Sequence, residues 1–227
     1  MDYSHATAGI TASLLNPASN LGAAAAGDTY ISIENLRGSN FDDTLTGDGN
    51  DNVLEGGGGN DALDGGGGNN TASYAHATAG VTVNLSTGPQ NTVGAGTDTL
   101  VNISNLTGSH FADTLTGDGN ANILSGNGGN DILFGGGGND TFVFNAAMDH
   151  VTVNDFTSGQ DHIQLNFAVP FAANNEASFQ AWATTSSHVV QQGADTLITF
   201  DAADTILLKS VNIANLHASD FILPNHA

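Results

Sequence analysis

The sequence predicts an all-β fold, a parallel solenoid of short strands joined by glycine-rich turns. Three observations predict it. The chain of 227 residues carries 30 glycines and no cysteine. It repeats itself: NLRGSNFDDTLTGDGNDNVLEGGGGNDALDGGGGNNT (35–71) matches NLTGSHFADTLTGDGNANILSGNGGNDILFGGGGNDT (105–141) at a constant offset of 70. Inside both blocks runs a second period of nine, with glycine first, Asp or Asn sixth and an apolar residue eighth. A short period of this kind marks stacked units that share a continuous core.

The nonapeptide explains itself mechanically. Its first six residues form a turn, because glycine accepts positive φ and close backbone approach. Its last three form a very short strand whose side chains alternate faces, so the eighth residue points inward. Those inward residues are Leu45, Leu54, Leu63, Ala72, Leu115, Leu124, Leu133 and Phe142. In GGGGNDALDGGGGNN (56–70) only Leu63 is large enough to fill a core. Two nonapeptides make one flattened coil, so each strand stacks on the strand 18 residues later at about 4.8 Å. Turns then stack on turns: Asp43 over Asp61, Asp113 over Asp131, Asn52 over Asn70 and Asn122 over Asp140.

The segments ahead of each block also match. YSHATAGITASL (3–14) parallels YAHATAGVTVNL (74–85), and GDTYISIENL (27–36) parallels TDTLVNISNL (97–106). They read as longer rungs of the same solenoid, with Val81, Val83 and Leu85, Val101 and Ile103, and Ile31 and Ile33 alternating, and with Tyr3 and Tyr74 covering the coil. Past residue 141 larger residues replace the glycines. FVF (142–144), VTVNDF (151–156), HIQL (162–165), VVQQG (189–193), TLITF (196–200) and TILL (205–208) predict strands of an apolar cap. NNEASFQAWA (174–183) predicts a short helix, N-capped by Asn174 or Asn175, with Phe179 and Trp182 on one face. A solenoid needs such a cap because its last strand is an open edge. The organisation is therefore 1–34 strand-rich, 35–73 first glycine block, 74–104 strand-rich, 105–144 second block, and 145–227 cap. Met1 falls inside a repeat unit, so the chain is expected to be a piece of a longer protein.

Charge narrows the function. There are 23 acidic residues against Arg37 and Lys209 alone, a formal net charge of −21. That balance excludes nucleic acid, which needs basic contacts, and an anionic membrane surface; it favours cations. No apolar run approaches ~18 residues, so no membrane insertion is expected, and no N-terminal signal peptide is recognisable. No HExxH, GxSxG, cysteine or P-loop lysine points to catalysis. Paired carboxylates are abundant, as in glycosidases, but the well-placed ones stack turn on turn at the sixth place, where a cation suits them, so no enzyme is expected. DGNDNVLE (48–55) opens like an EF-hand, but Val53 stands where glycine is required. His5 and His76 are repeat-equivalent and read as structural. Asp28, Asp64 and Asp98 read as turn residues on a solvated face.

Eight nonapeptides in register resemble the calcium-binding G-G-x-G-x-D-x-U-x repeat of the RTX proteins. Stacked carboxylates at strand spacing repel unless a cation lies between them. An all-oxygen cage on flexible backbone suits Ca²⁺ better than Mg²⁺ or Zn²⁺. The resemblance implies a right-handed parallel β-roll. It also implies a ligand set: carbonyls of positions two and four plus the sixth side chain of one turn, and carbonyls of one and three plus the sixth side chain of the next. Carried over, one cage is Ser39, Phe41, Asp43, Gly56, Gly58 and Asp61. A second is Ser109, Phe111, Asp113, Gly126, Gly128 and Asp131. A third is Asp118, Asn120, Asn122, Gly135, Gly137 and Asp140. The gap of Asn50, Asn52, Gly65, Gly67 and Asn70 has no sixth-place carboxylate, and even with Asp48 and Asp51 nearby it is expected to bind weakly or not at all. One further step of 18 from Asp131 reaches Asp149, a candidate fifth-site ligand; Asp155 and Asp161 in DFTSGQD are candidates for another ion. About three to five Ca²⁺ ions are expected.

GGGGNDTFVF, DFTSGQDHIQL, GADTLITF and NLHASDFIL resemble the C-terminal portion shared by type I secreted RTX proteins. That resemblance implies a secreted, extracellular or cell-surface protein of Gram-negative bacteria, exported through an ABC-transporter apparatus by an uncleaved C-terminal signal. Two other classes stay open: an adhesion or polysaccharide-binding module with a glycan or surface partner, and the non-catalytic part of a secreted hydrolase or epimerase.

Overall fold

A computed structural model describes every residue except 88–89, 93–94, 173–174, 186–187 and 225–227. The chain divides into two units, Met1–His110 and Phe111–Ala227.

The first unit stacks short strands, nearly all of three residues, in two parallel sets. One set runs β1 (Thr11–Ser13), β3 (Thr44–Thr46), β5 (Ala62–Asp64) and β9 (Gly96–Val101), with β8 (Gln90–Thr92) antiparallel on β9. The other runs β2 (Asn35–Arg37), β4 (Val53–Glu55), β6 (Thr71–Ser73) and β10 (Asn105–Thr107). β7 (Thr82–Asn84) lies between them in sequence. Register follows the predicted step of 18, Leu45 on Leu63 and Leu36 on Leu54 on Ala72. It lengthens where the intervening segments enter, so that Leu63 meets Leu100 and Ala72 meets Leu106. Leu36, Leu45, Leu54, Leu63, Ala72 and Leu106 are buried, at most 1% exposed, and form the apolar line of the coil.

The second unit repeats the plan and then changes it. β12 (Ile123–Ser125), β14 (Thr141–Phe144), β16 (His162–Leu165) and β20 (Phe221–Ile222) form one parallel set. β11 (Thr114–Thr116), β13 (Ile132–Phe134), β15 (His150–Val153) and β19 (Thr205–Leu208) form the other, extended by an antiparallel meander through β18 (Asp195–Thr199) and β17 (Val189–Gln192). All the strands expected of the cap are present. The helix α1 (Glu176–Thr184) is capped by Asn175, whose side chain accepts from the Ser178 amide at 2.9 Å; Asn174 lies outside the described residues. Its buried Phe179 and Trp182 meet Phe171, with ring centroids 5.4 and 4.7 Å apart, and Phe179 also meets Phe221 at 5.1 Å. This aromatic cluster gives the cap a larger core than the glycine coils possess.

The upstream rungs depart from expectation. Tyr3, Tyr74, Val81 and Val83 are buried as predicted, but Leu85 is only half-buried. Pairing of Leu100 with Leu63 turns Val101 outward, 45% exposed. Ile31 is 86% exposed and lies in no strand; the backbone there turns through Ser32 at φ 54°. Alternation over two or three residues did not suffice to place these side chains, because strand pairing, not local pattern, sets register.

Candidate metal centre

Each glycine turn delivers its sixth residue to the inside of the stack. Asp43, Asp61, Asp113, Asp131 and Asp140 are all no more than 2% exposed, as are Asn52, Asn70 and Asn122. Their side chains form a ladder. The Asp43 amide donates to Asp61 Oδ1, the Asn52 amide to Asn70 Oδ1, the Asp113 amide to Asp131 Oδ1 and the Asn122 amide to Asp140 Oδ1, each at 2.9 Å. The 18-residue stacking of these residues was legible from spacing; the amide that each carboxylate captures was not.

Glycine is required where turns touch. Gly59 has φ 118°, and a β-carbon there would lie 2.5 Å from the Phe41 carbonyl carbon. Asn127 takes φ 70° in the second block, a conformation Asn tolerates better than most residues. Phe41 and Phe111 occupy the fourth place, normally glycine, and are 46% and 47% exposed.

Oxygens gather in the gaps. A β-carbon on Gly38 would lie 2.3 Å from Asp43 Oδ2 and 2.4 Å from the Gly56 carbonyl oxygen. At Gly117 the corresponding atoms are Asn122 Oδ1 and the Gly135 oxygen, both 2.2 Å away. Each gap thus sets a side-chain oxygen and a carbonyl oxygen of the next turn beside the same glycine. Asp61 Oδ2 and Asp131 Oδ2 are buried without any hydrogen-bond donor. Burial raises Asp61 to about 8, opposed by the Asp43 amide and reinforced by the charges of Asp98, Asp43 and Asp42. Burial likewise raises Asp131 to about 7 and Asp140 to about 6. Among the described residues no three His, Cys, Asp or Glu side chains gather as a metal group, so any cage here rests on paired sixth-place side chains and backbone carbonyls. The residues therefore fit a hard, oxygen-seeking cation.

The cages differ in what they bring together. Ser39, Phe41, Asp43, Gly56, Gly58 and Asp61 lie in two stacked turns of the first unit, where the Gly58 amide also donates to the Ser39 carbonyl at 3.0 Å. Asp118, Asn120, Asn122, Gly135, Gly137 and Asp140 lie in two stacked turns of the second, with the Gly137 amide on the Asp118 carbonyl at 2.8 Å. Of the remaining set, Phe111, Asp113, Gly126, Gly128 and Asp131 belong to the second unit, while Ser109 is a buried residue of the first.

In the asparagine gap, Asp48 turns outward to accept from the Asn50 amide and side chain at 2.8 and 3.1 Å. The Asn70 amide group donates to the Gly67 and Asn102 carbonyls at 2.9 and 3.0 Å, which puts a donor into this gap.

The structure places four further acidic residues. The step after β13 is 20 residues, Ile132 to Thr152, so Asp149 does not stack under Asp131; it is exposed and accepts from the Gly129 amide at 3.0 Å. Asp155 accepts from the Gly135 and Gly136 amides at 2.8 and 2.9 Å, whereas Asp161 is the one that continues the ladder, accepting from the Asp140 amide at 2.9 Å. Asp98 is not a solvated turn residue. It is 1% exposed and accepts from the Asp61 amide at 3.0 Å.

The fifth-place ladder was not read from the sequence. Asp42 and Asp51 accept from the Asn60 and Asn69 amides at 2.7 Å, a second ladder outside the first. The signal was the Asp or Asn that fills the fifth place throughout the first block.

Comparison with known proteins places these turns. The family model described as the RTX calcium-binding nonapeptide repeat (4 copies) matches residues 37–72 and 107–142. Among solved structures, the extracellular lipase LipA from Serratia marcescens is 18% identical over 87% of this chain and 41% of that one, with a TM-score of 0.34. The AlgE6R3 subunit of the Azotobacter vinelandii mannuronan C5-epimerase is 20% identical over 86% of both chains, with a TM-score of 0.33. The chain thus spans less than half the length of the lipase. Comparison with curated proteins returns no match. The ladders of buried acids and amides at 43–70 and 113–140 coincide with the two matched stretches, and the chain carries two blocks of the RTX calcium-binding nonapeptide repeat on stacked parallel strands.

Proposed function

We propose that this chain is a calcium-dependent folding module without catalytic activity of its own. The observation that carries it is the pair of buried carboxylate oxygens, Asp61 Oδ2 and Asp131 Oδ2, that no donor satisfies. Bound calcium would supply the positive charge that lets two carboxylates share a gap. Asp43 with Asp61, Asp113 with Asp131, and Asn122 with Asp140 would hold it, helped by the carbonyls of Ser39, Phe41, Gly56 and Gly58 in the first unit and of Phe111, Gly126, Gly128, Asp118, Asn120, Gly135 and Gly137 in the second. The asparagine gap, with its donor already in place, takes none or binds weakly. An 18-residue coil buries only about two modest side chains, too few to offset the entropy of ordering it, so binding and folding are coupled. Equilibrium dialysis at millimolar Ca²⁺ should find at least three ions per chain, and Asp61→Asn with Asp131→Asn should lower that count. No bound calcium would overturn the proposal.

The same coupling suits export. A chain that stays unfolded where free calcium is scarce can be threaded through a type I apparatus, with residues 145–227 carrying the signal, and fold outside the cell. Deleting 145–227 should abolish export from a cell that carries the apparatus. A second reading, binding to an extracellular polysaccharide, is favoured by one observation: Phe41 and Phe111 stand half-exposed at repeat-equivalent turns. Calcium-dependent signals on a glycan array would support it, and a blank array would remove it.

A further inference from the structure

Asparagine is followed by glycine once in the chain, at Asn127–Gly128. The pair lies in GNGGNDILF (126–134), inside a nonapeptide turn of the second block. Asn127 fills the second place, which is glycine in three other turns. Those glycines, Gly57, Gly66 and Gly136, take φ 101°, 76° and 93°, and Asn127 takes φ 70°. The turn thus keeps the left-handed backbone and puts there one of the few side chains that tolerate it.

An asparagine before glycine carries a chemistry of its own. The Gly128 backbone nitrogen, uncrowded because its residue has no β-carbon, attacks Cγ of Asn127. A bond forms between that nitrogen and Cγ, and the bond from Cγ to Nδ2 breaks. The side-chain nitrogen leaves as ammonia, taking the proton that the backbone nitrogen gives up. Water then opens the succinimide ring at either carbonyl. One product is aspartate. The other is isoaspartate, whose main chain runs through Cβ and Cγ and is one atom longer.

The folded turn opposes this reaction. The attacking nitrogen belongs to the third place, and in the other turns the amide at that place is already a donor. Gly58 donates to the Ser39 carbonyl at 3.0 Å, Gly67 to Asp48 at 2.7 Å and Gly137 to Asp118 at 2.8 Å. The Asn127 side chain is half-buried, and its oxygen accepts from the Ser125 hydroxyl at 3.4 Å. Attack therefore proceeds from the opened turn, at a rate that follows the opened population.

The folded turn also has no room for the longer product. A β-carbon on Gly126 would lie 1.9 Å from Asp131 Oδ2, and one on Gly129 would lie 2.5 Å from the Phe111 carbonyl carbon. An extra backbone atom between those two glycines has to displace one of these contacts. Gly126 and Gly128 also supply carbonyls to the cage of Asp113 and Asp131.

We infer that Asn127 is a calcium-guarded deamidation site. It is held closed while the turn is folded around its ion. It reacts when calcium is withdrawn, and its isoaspartate product disables the cage of Asp113 and Asp131. A calcium-free interval is thereby recorded irreversibly in one turn, while the first block, with Gly57 at the same place, escapes it. The inference rests on the calcium reading above.

The test incubates the full chain at mildly alkaline pH in millimolar Ca²⁺ and, side by side, in excess EGTA. Chymotryptic peptides are then read by mass spectrometry. The peptide containing Asn127 should gain the mass of an amide turned to an acid several-fold faster in EGTA than in calcium. Returned to calcium, the aged chain should bind one ion fewer by equilibrium dialysis, and an equally aged Asn127→Gly chain should keep its full count. Equal rates in the two media, with circular dichroism showing calcium-dependent folding, overturn the guard and leave the calcium reading standing. A loss of ions on ageing that is the same in Asn127→Gly overturns the assignment to this residue. A spectrum unchanged by EGTA overturns the calcium reading and this inference with it.

Discussion

Asp61 sets the pH behaviour. Its carboxyl is lifted to about 8, first by burial, and that of Asp131 to about 7. A carboxyl whose folded pKa lies above its unfolded value of ~3.9 stabilises the metal-free fold fully below that value. It loses that contribution as pH rises through the folded pKa. A cation competes with the same proton, so apparent calcium affinity should climb between about pH 5 and pH 8 and level off above. Calorimetry at three pH values in that window checks it, and a flat affinity would contradict the assignment of Asp61 and Asp131 as ligands. Leu63 tests the other side of the coil. It is 1% exposed between Leu45 and Leu100, and Leu63→Ala should cost ~2–5 kcal/mol, read as a higher calcium midpoint for folding. At this scale the sequence was readable wherever the nonapeptide held: every eighth-place residue is buried. It failed for Asp98, because position 93 lacks the opening glycine and the step from Asp61 is 37 residues instead of 18.

Among elements, the turn pair is the unit that matters. Gly59→Ala forces a side chain into φ 118° against the Phe41 backbone. It should destabilise the first block by more than ~1 kcal/mol, visible as a loss of calcium-induced ellipticity. The asparagine gap offers a gain-of-function counterpart. Asn52 Oδ1 already stands beside the Gly65 carbonyl, both within 2.4 Å of the place a Gly47 β-carbon would take. Asn52→Asp should add one weak calcium site, and dialysis that finds no extra ion would show that the Asn70 amide closes the gap by itself. Strand existence was legible across the cap, from β14 to β19, because continuous apolar runs there leave little choice. The rung at 31–33 was not, since Ile31 and Ile33 alternate in sequence yet lie in no strand. The step of 18 that pointed to Asp149 does not hold there for a related reason: the coil lengthens to 20 residues once glycine turns give way to larger ones.

For the molecule as a whole, the charge of −21 and the glycine turns point the same way. A chain so acidic and so poor in large core residues over its first 140 positions has little reason to fold until cations enter its gaps. The cap, with Phe179, Trp182 and Phe221 all against Phe171, has its own apolar core. It should retain structure when the glycine blocks do not. Far-UV circular dichroism of the full chain in excess EGTA and then in millimolar Ca²⁺ tests the central claim most directly. The account predicts that most of the β-sheet signal is lost on chelation, returns with calcium, and does not return with magnesium. A spectrum unchanged by EGTA would contradict it.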